Sequence, residues 1–186
     1  MVQGADHFIV KAGGPDDHHM AREIHAHLHW LQPWSIRNRA PVLAHHDVTA
    51  NLLVTRFVPG RLVEGTDTAA DPAAYRQAGE LLAVLHSQLS VWDDGYEAAE
   101  NANSLAWLDK PHRIAPGVEE QLRTEIATWP APPTPLVPTH GDWQPRNWLV
   151  HAGVLSVIDF GRAGLRPAIS DFSRLAAQDF RRDPAL

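Results

Sequence analysis

The chain has no cysteine, which excludes disulfides and Cys-ligated zinc. It has no apolar run approaching the roughly 18 residues of a membrane-spanning helix. Its first residues, Met1-Val2-Gln3-Gly4-Ala5-Asp6-His7, carry neither the basic nor the apolar region of a signal peptide. Basic side chains are outnumbered, 16 Lys and Arg against 22 Asp and Glu, and the net charge of −6 is the wrong sign for a nucleic-acid partner. There is no internal repeat and no His-Glu-x-x-His. These absences predict a cytoplasmic protein with neither membrane nor nucleic acid among its partners. The 44% hydrophobic content supports a globular core, and 186 residues make one domain or one domain and part of another.

What is present concentrates in His140-Gly141-Asp142-Trp143-Gln144-Pro145-Arg146-Asn147 and Ile158-Asp159-Phe160-Gly161. Two short apolar runs, Trp148–Val150 and Val154–Ile158, flank His151-Ala152-Gly153 and read as a hairpin. That hairpin would fold Asp159 back beside Asp142 and Asn147. Phosphoryl transfer from a nucleotide needs this set. One carboxylate orients and deprotonates the attacking hydroxyl, while an Asn and a second carboxylate hold Mg²⁺ on the phosphates.

These motifs resemble those of the aminoglycoside phosphotransferase family, the small-molecule branch of the protein-kinase-like phosphotransferases. The family writes its catalytic loop H-G-D-x-x-x-x-N and its metal motif I-D-F/W, and Gly141 marks the small-molecule branch. The resemblance implies an α+β, kinase-like fold. A reduced N-lobe of antiparallel strands and one helix (residues 1–58) would precede a mainly helical C-lobe bearing the catalytic hairpin (residues 59–186). It implies Asp142 as the base, Asn147 and Asp159 as Mg²⁺ ligands, and His140 and Asp171 as supports of the loop. Lys11 would grip the nucleotide phosphates, held by Glu23, and the backbone from Thr55 to Phe57 would bind adenine. The nucleotide would be ATP or GTP and the acceptor a hydroxyl of a small molecule.

Along the chain, His7–Lys11 reads as a strand. Asp16 or Asp17 caps a helix from His18 to Leu31, with Ile24, Leu28 and Leu31 at helical spacing. Val42–Ala44 and Asn51–Phe57 read as strands about a turn at His45-His46-Asp47. Asp71 at the N-cap and Pro72 at the first position open a helix whose apolar stripe runs Tyr75, Ala78, Leu82, Leu85, Leu89. His86, in the family-like stretch Gly79–His86, would pack beneath the catalytic loop. Residues 92–106 read as irregular, Gly117–Trp129 as a helix, and the proline-rich stretch 130–138 as a surface loop. Gly164–Ser170 reads as a loop, followed by a final helix, Phe172–Arg181, that Asp171 would cap while bracing the catalytic loop.

The resemblance departs at both ends. Ten residues precede Lys11, too few for the strand pair and glycine-rich phosphate loop of a kinase-like N-lobe, and Gly13-Gly14 follows the lysine. Fifteen residues follow Asp171, where the family has further acceptor-binding helices. Arg166 stands where an acidic residue is common. The chain therefore reads as truncated at both ends, with an unpaired strand edge open to self-association. The alternative function is a catalytically impaired kinase-like fragment or nucleotide-binding scaffold. Twelve histidines also raise a transition-metal site, with His25 and His29 one turn apart.

Overall fold

The computed structural model describes residues 2–3, 6–14 and 17–186. Its elements are β1 (Val2–Gln3), β2 (Asp6–Ala12), α1 (His18–His29), α2 (Gln32–Ser35), β3 (Leu43–Asp47), β4 (Leu52–Arg56), β5 (Arg61–Leu62) and α3 (Pro72–His86). There follow β6 (Val91–Asp93), α4 (Tyr96–Leu108), α5 (Pro116–Ile126), β7 (Thr134–Thr139), β8 (Trp148–His151), β9 (Val154–Val157), β10 (Gly164–Arg166), α6 (Ser173–Ala177) and α7 (Asp179–Arg182). The architecture is α+β, in two compact units: residues 1–90 with 137–186, and residues 91–136. No helix among the described residues is long and apolar enough to cross a membrane.

In the first unit an antiparallel sheet runs in the order β1-β2-β4-β3. Ten residues before Lys11 do suffice for a short strand pair: Val2 faces His7 and Gln3 faces Asp6. β1 thus occupies the start of the edge for which the sequence predicts self-association. His45, His46 and Asp47 do not form the turn but end β3. As an edge strand β3 needs no buried apolar alternation, which disguises it in the sequence. The turn lies just beyond, where Asp47 accepts from the Ala50 amide at 2.9 Å and Asn51 takes φ +46°.

Asp17 caps α1, accepting from the His19 and Met20 amides at 2.9 and 3.3 Å; Asp16, the other candidate, lies outside the described residues. Ile24 is buried on α1, but Leu28 is 48% exposed and Leu31 is buried beyond the helix end. The Asp71 carboxylate caps α3 through the Ala73 amide at 2.9 Å, with Pro72 first in the helix. Its stripe ends at Leu85, and Leu89 lies past the helix and is exposed.

The β8–β9 hairpin pairs His151 with Val154 across a two-residue turn, Ala152 and Gly153, both at positive φ (+49° and +75°). That conformation matches the twist of the flanking strands. The proline-rich stretch is not all loop, since Pro135 and Pro138 lie within β7. Each is the middle residue of a three-residue pairing, Pro135 with β6 and Pro138 with β10. Antiparallel pairs alternate between hydrogen-bonded and non-hydrogen-bonded, and the second kind accepts a proline because it asks no N–H of it. Residues 164–166, expected in a loop, form β10, and the expected single last helix is two short ones, α6 and α7. Trp34, Trp143, Trp148, Phe160, Leu82 and Leu85 centre the unit's core.

The second unit holds α4 and α5. Of residues 92–106, expected to be irregular, 92 and 93 end β6 and 96–106 lie in α4, whose Ala, Glu and Leu content favours helix without a strong apolar stripe. Leu108 and Ile126 are its buried helical residues.

Candidate active site

β7 ends at Thr139 and hands the chain to His140, which is fully buried. Burial pushes the His140 pKa down. The ring is therefore neutral: Nδ1 accepts the Asp142 amide at 3.2 Å, which leaves Nε2–H to donate to the Ile158 carbonyl at 3.1 Å. Gly141 turns the loop at φ +77°, and a Cβ there would run into the Arg162 carbonyl, so only glycine fits. The buried Asp171 carboxylate accepts from the His140 and Gly141 amides at 3.0 and 2.7 Å and lies 3.0 Å from His86 Nε2. It does not cap α6, which has no side-chain cap.

Asp142 then projects its carboxylate into a ring of donors. Gln144 Nε2 lies at 2.6 Å from Oδ1, Arg146 Nη2 at 3.0 and 2.7 Å from Oδ1 and Oδ2, and Asn147 Nδ2 at 3.2 Å from Oδ2. Burial raises the Asp142 pKa, but the hydrogen bonds from Arg146, Asn147 and Gln144 outweigh it and hold the group below the usual carboxylate range. Asn147 Nδ2 also donates to the Asp142 carbonyl at 2.8 Å. The hairpin returns the chain so that the Ile158 amide donates to the Asn147 carbonyl at 3.0 Å. Asp159 follows at φ +67°, its side chain 56% exposed.

From the sheet, Lys11 Nζ binds both Glu23 oxygens, at 2.7 and 2.9 Å, and stands 3.6 Å from Asp159 Oδ1. Lys11, Glu23 and Asp159 border two adjoining clefts. One, of about 410 Å³, also takes in His27, Thr55, Phe57 and Val58; the other, of about 570 Å³, takes in Asp142, Gly161 and Arg162. Thr55 is paired within β4, and the Arg56 and Phe57 amides donate to the Val42 and His7 carbonyls, each at 2.9 Å. The Val58 amide has no hydrogen-bond partner among the described residues. His19 Nδ1 meets the Gly161 carbonyl at 2.8 Å and ties α1 to the Asp-Phe-Gly segment.

Sequence reasoning missed the partners of Asp142. Gln144 and Arg146 sit inside the loop motif, two and four residues on, where their donors were open to notice. Arg174 Nε lies 3.9 Å from Asp142 Oδ1, a contact that no local signal announces. Arg166 braces the loop, donating to Thr139 Oγ1 at 3.0 Å and the Arg162 carbonyl at 2.9 Å. His25 and His29 lie side by side, ring centroids 4.4 Å apart. No group of three or more His, Cys, Asp or Glu suited to a metal occurs among the described residues.

A model of the phosphotransferase enzyme family matches residues 3–186. No curated protein matches the chain. Among solved structures, an aminoglycoside-3'-phosphotransferase of type VIII is 21% identical with a TM-score of 0.63, over 98% of this chain and 73% of that one. The macrolide 2'-phosphotransferase MphH from Brachybacterium faecium is 20% identical with a TM-score of 0.59, over 89% and 61%. The choline kinase LicA from Streptococcus pneumoniae is 14% identical with a TM-score of 0.65, over 100% and 68%. The chain therefore has the protein-kinase-like fold of these structures and spans 61–73% of their length.

Proposed function

The chain belongs to the phosphotransferase enzyme family, and from that premise we propose that it moves the γ-phosphoryl group of ATP or GTP to a hydroxyl of a small molecule. The observation that carries this reading is the meeting of Lys11, Glu23 and Asp159 beside a cleft that Asp142 also lines. We assign residues 1–58 to the nucleotide-covering lobe and residues 59–186 to the catalytic lobe.

Lys11, oriented by Glu23, takes the α- and β-phosphates. The base enters the cleft lined by Thr55 and Phe57, where Val58 offers the first uncommitted backbone donor. The donor set fits Mg²⁺. Both Asn147 side-chain hydrogen bonds come from Nδ2 to Asp142, which leaves Oδ1 as an oxygen donor, and Asp159 offers an exposed carboxylate. Two hard oxygen ligands suit Mg²⁺, which draws its others from water and phosphate. Bound there, the ion would neutralise phosphate charge. Asp142 holds the acceptor hydroxyl in line. As the acceptor oxygen bonds to the γ-phosphorus, the bridging P–O bond breaks, the nucleoside diphosphate leaves, and the hydroxyl proton passes to the Asp142 carboxylate. His140 and Asp171 keep the loop in place.

Diphosphate release across a panel of hydroxylated acceptors, with Asp142→Asn as control, tests this reading. Mg²⁺-dependent nucleotide binding with no release on any acceptor would favour a nucleotide-binding scaffold instead. Absence of nucleotide binding would reject both.

A further inference from the structure

Asp142 has more positive charge around it than a general base requires. Arg146 contacts both of its oxygens, and Arg174 reaches toward Oδ1 from α6. Among the described residues the Arg174 guanidinium makes no hydrogen bond, and its one ion pair is the long one of 3.9 Å. Both arginine side chains are nearly half exposed, 42% and 45%. Arg146 also feels the charge of Glu64 and Asp159, so Arg174 is the guanidinium beside the base that has no close carboxylate among the described residues.

The position of that charge matters. Neither arginine lines the clefts that Lys11, Glu23 and Asp159 share, although Asp142 itself does. They contact the carboxylate from outside the lining of the proposed phosphate path, which leaves them to an acceptor that reaches Asp142. A cationic group on the acceptor would meet two like charges there. The planar guanidinium fork instead matches a carboxylate or phosphate oxygen pair. The carboxylates that would suit a cation, Glu64, Asp67, Asp179 and Asp183, line a cavity of about 710 Å³ that borders the loop at Gln144 and Pro145 and includes neither Asp142 nor the two arginines.

We propose that Arg146 and Arg174 form an oxyanion-binding pair beside Asp142, so that the acceptor is a hydroxylated molecule carrying a carboxylate or phosphate close to the hydroxyl that is phosphorylated. This rests on the phosphotransfer reading. Arg174, held least, makes the main contact with the anion. Arg146 shares it while keeping Asp142 ionised and oriented.

Glycerate and glycerol, which differ in one carboxylate, and the amino alcohol serinol are titrated calorimetrically into the full chain loaded with Mg²⁺ and a non-hydrolysable ATP analogue. Glycerate should bind about tenfold or more tightly than glycerol, the scale of one charge-assisted contact. Arg174→Met should remove that preference without changing analogue affinity, and Arg174→Lys should restore part of it. Equal binding of glycerate and glycerol, tighter binding of serinol, or an undiminished glycerate preference in Arg174→Met overturns the proposal. If Arg174→Met does not fold, the wild-type contrast between the three probes decides. Failure of the analogue itself to bind counts against the phosphotransfer reading alone. The same three probes on the unloaded chain then decide the anion site.

Discussion

At the scale of single residues, the protein uses burial and hydrogen bonding to set charge states that the residue types alone leave open. Asp142 is kept ionised by its donors, chiefly Arg146. Under the proposed mechanism Asp142→Asn should lower turnover by about 10²–10⁴-fold with nucleotide affinity retained, the range for losing a general base. Because its folded pKa is depressed, kcat/KM should hold as pH falls until below the ordinary carboxylate range. In Arg146→Met the pKa rises, so the acid limb should move to higher pH; a pH–rate profile unchanged by that substitution would refute the pairing. His27 shows the opposite logic. It is 9% exposed, its Nε2 has no hydrogen-bond partner among the described residues, and burial, aided by nearby Lys11, pushes its pKa down to about 4. Its neutral form is stable above the unfolded value of 6.5, and stability is lost as pH falls from there to about 4. The loss should reach about 3 kcal/mol, and urea unfolding of His27→Leu at pH 7 and pH 4 should show that much less acid sensitivity than the wild type.

At the scale of elements, the β8–β9 hairpin builds the candidate site, because it brings Asp159 back to the cleft that Asp142 lines. Its turn holds a residual misfit. Gly153 is suited to its positive φ, but Ala152 at φ +49° is not, and a left-handed alanine costs roughly 1 kcal/mol. Ala152→Asn creates the Asn-Gly pair that a type I′ turn favours. It should stabilise the protein by about 0.5–1 kcal/mol in denaturant unfolding, and a decrease in stability would contradict the turn assignment. The last helices differ from the single helix expected, and Asp171 is the reason its end was misread. Its carboxylate is turned to the His140 and Gly141 amides and to His86, and α6 starts without a side-chain cap.

At the scale of the whole molecule, ligand binding should appear as stability. If the clefts take nucleotide and Mg²⁺, a nucleotide at about one hundred times its Kd raises unfolding free energy by about 2.7 kcal/mol. Chelating Mg²⁺, or replacing Asp159 by Ala, should remove most of that gain in thermal unfolding. An equal gain with and without Mg²⁺ would reject Asn147 and Asp159 as its ligands.

The motif residues of the loop and hairpin were legible in the sequence because their chemistry is local. His-Gly-Asp, the Asn five residues on and the Asp twelve further are joined by a hairpin whose turn residues are written beside it. The strand and helix bearing Lys11 and Glu23 were legible from the cap and break between them. Three features were not. β3 and β7 hide behind histidines and prolines because an edge position and a non-hydrogen-bonded pair tolerate them. α4 lacks a strong stripe, so propensity had to compete with its polar composition. The charge around Asp142 comes partly from Arg174, 32 positions away in sequence, and only folding brings such a partner within reach. Local spacing thus marked the groups of the candidate site. Long-range packing decided their burial and their distant partners, Glu23 against Lys11 and Asp171 under His140 and Gly141, because such groups are gathered from across the chain.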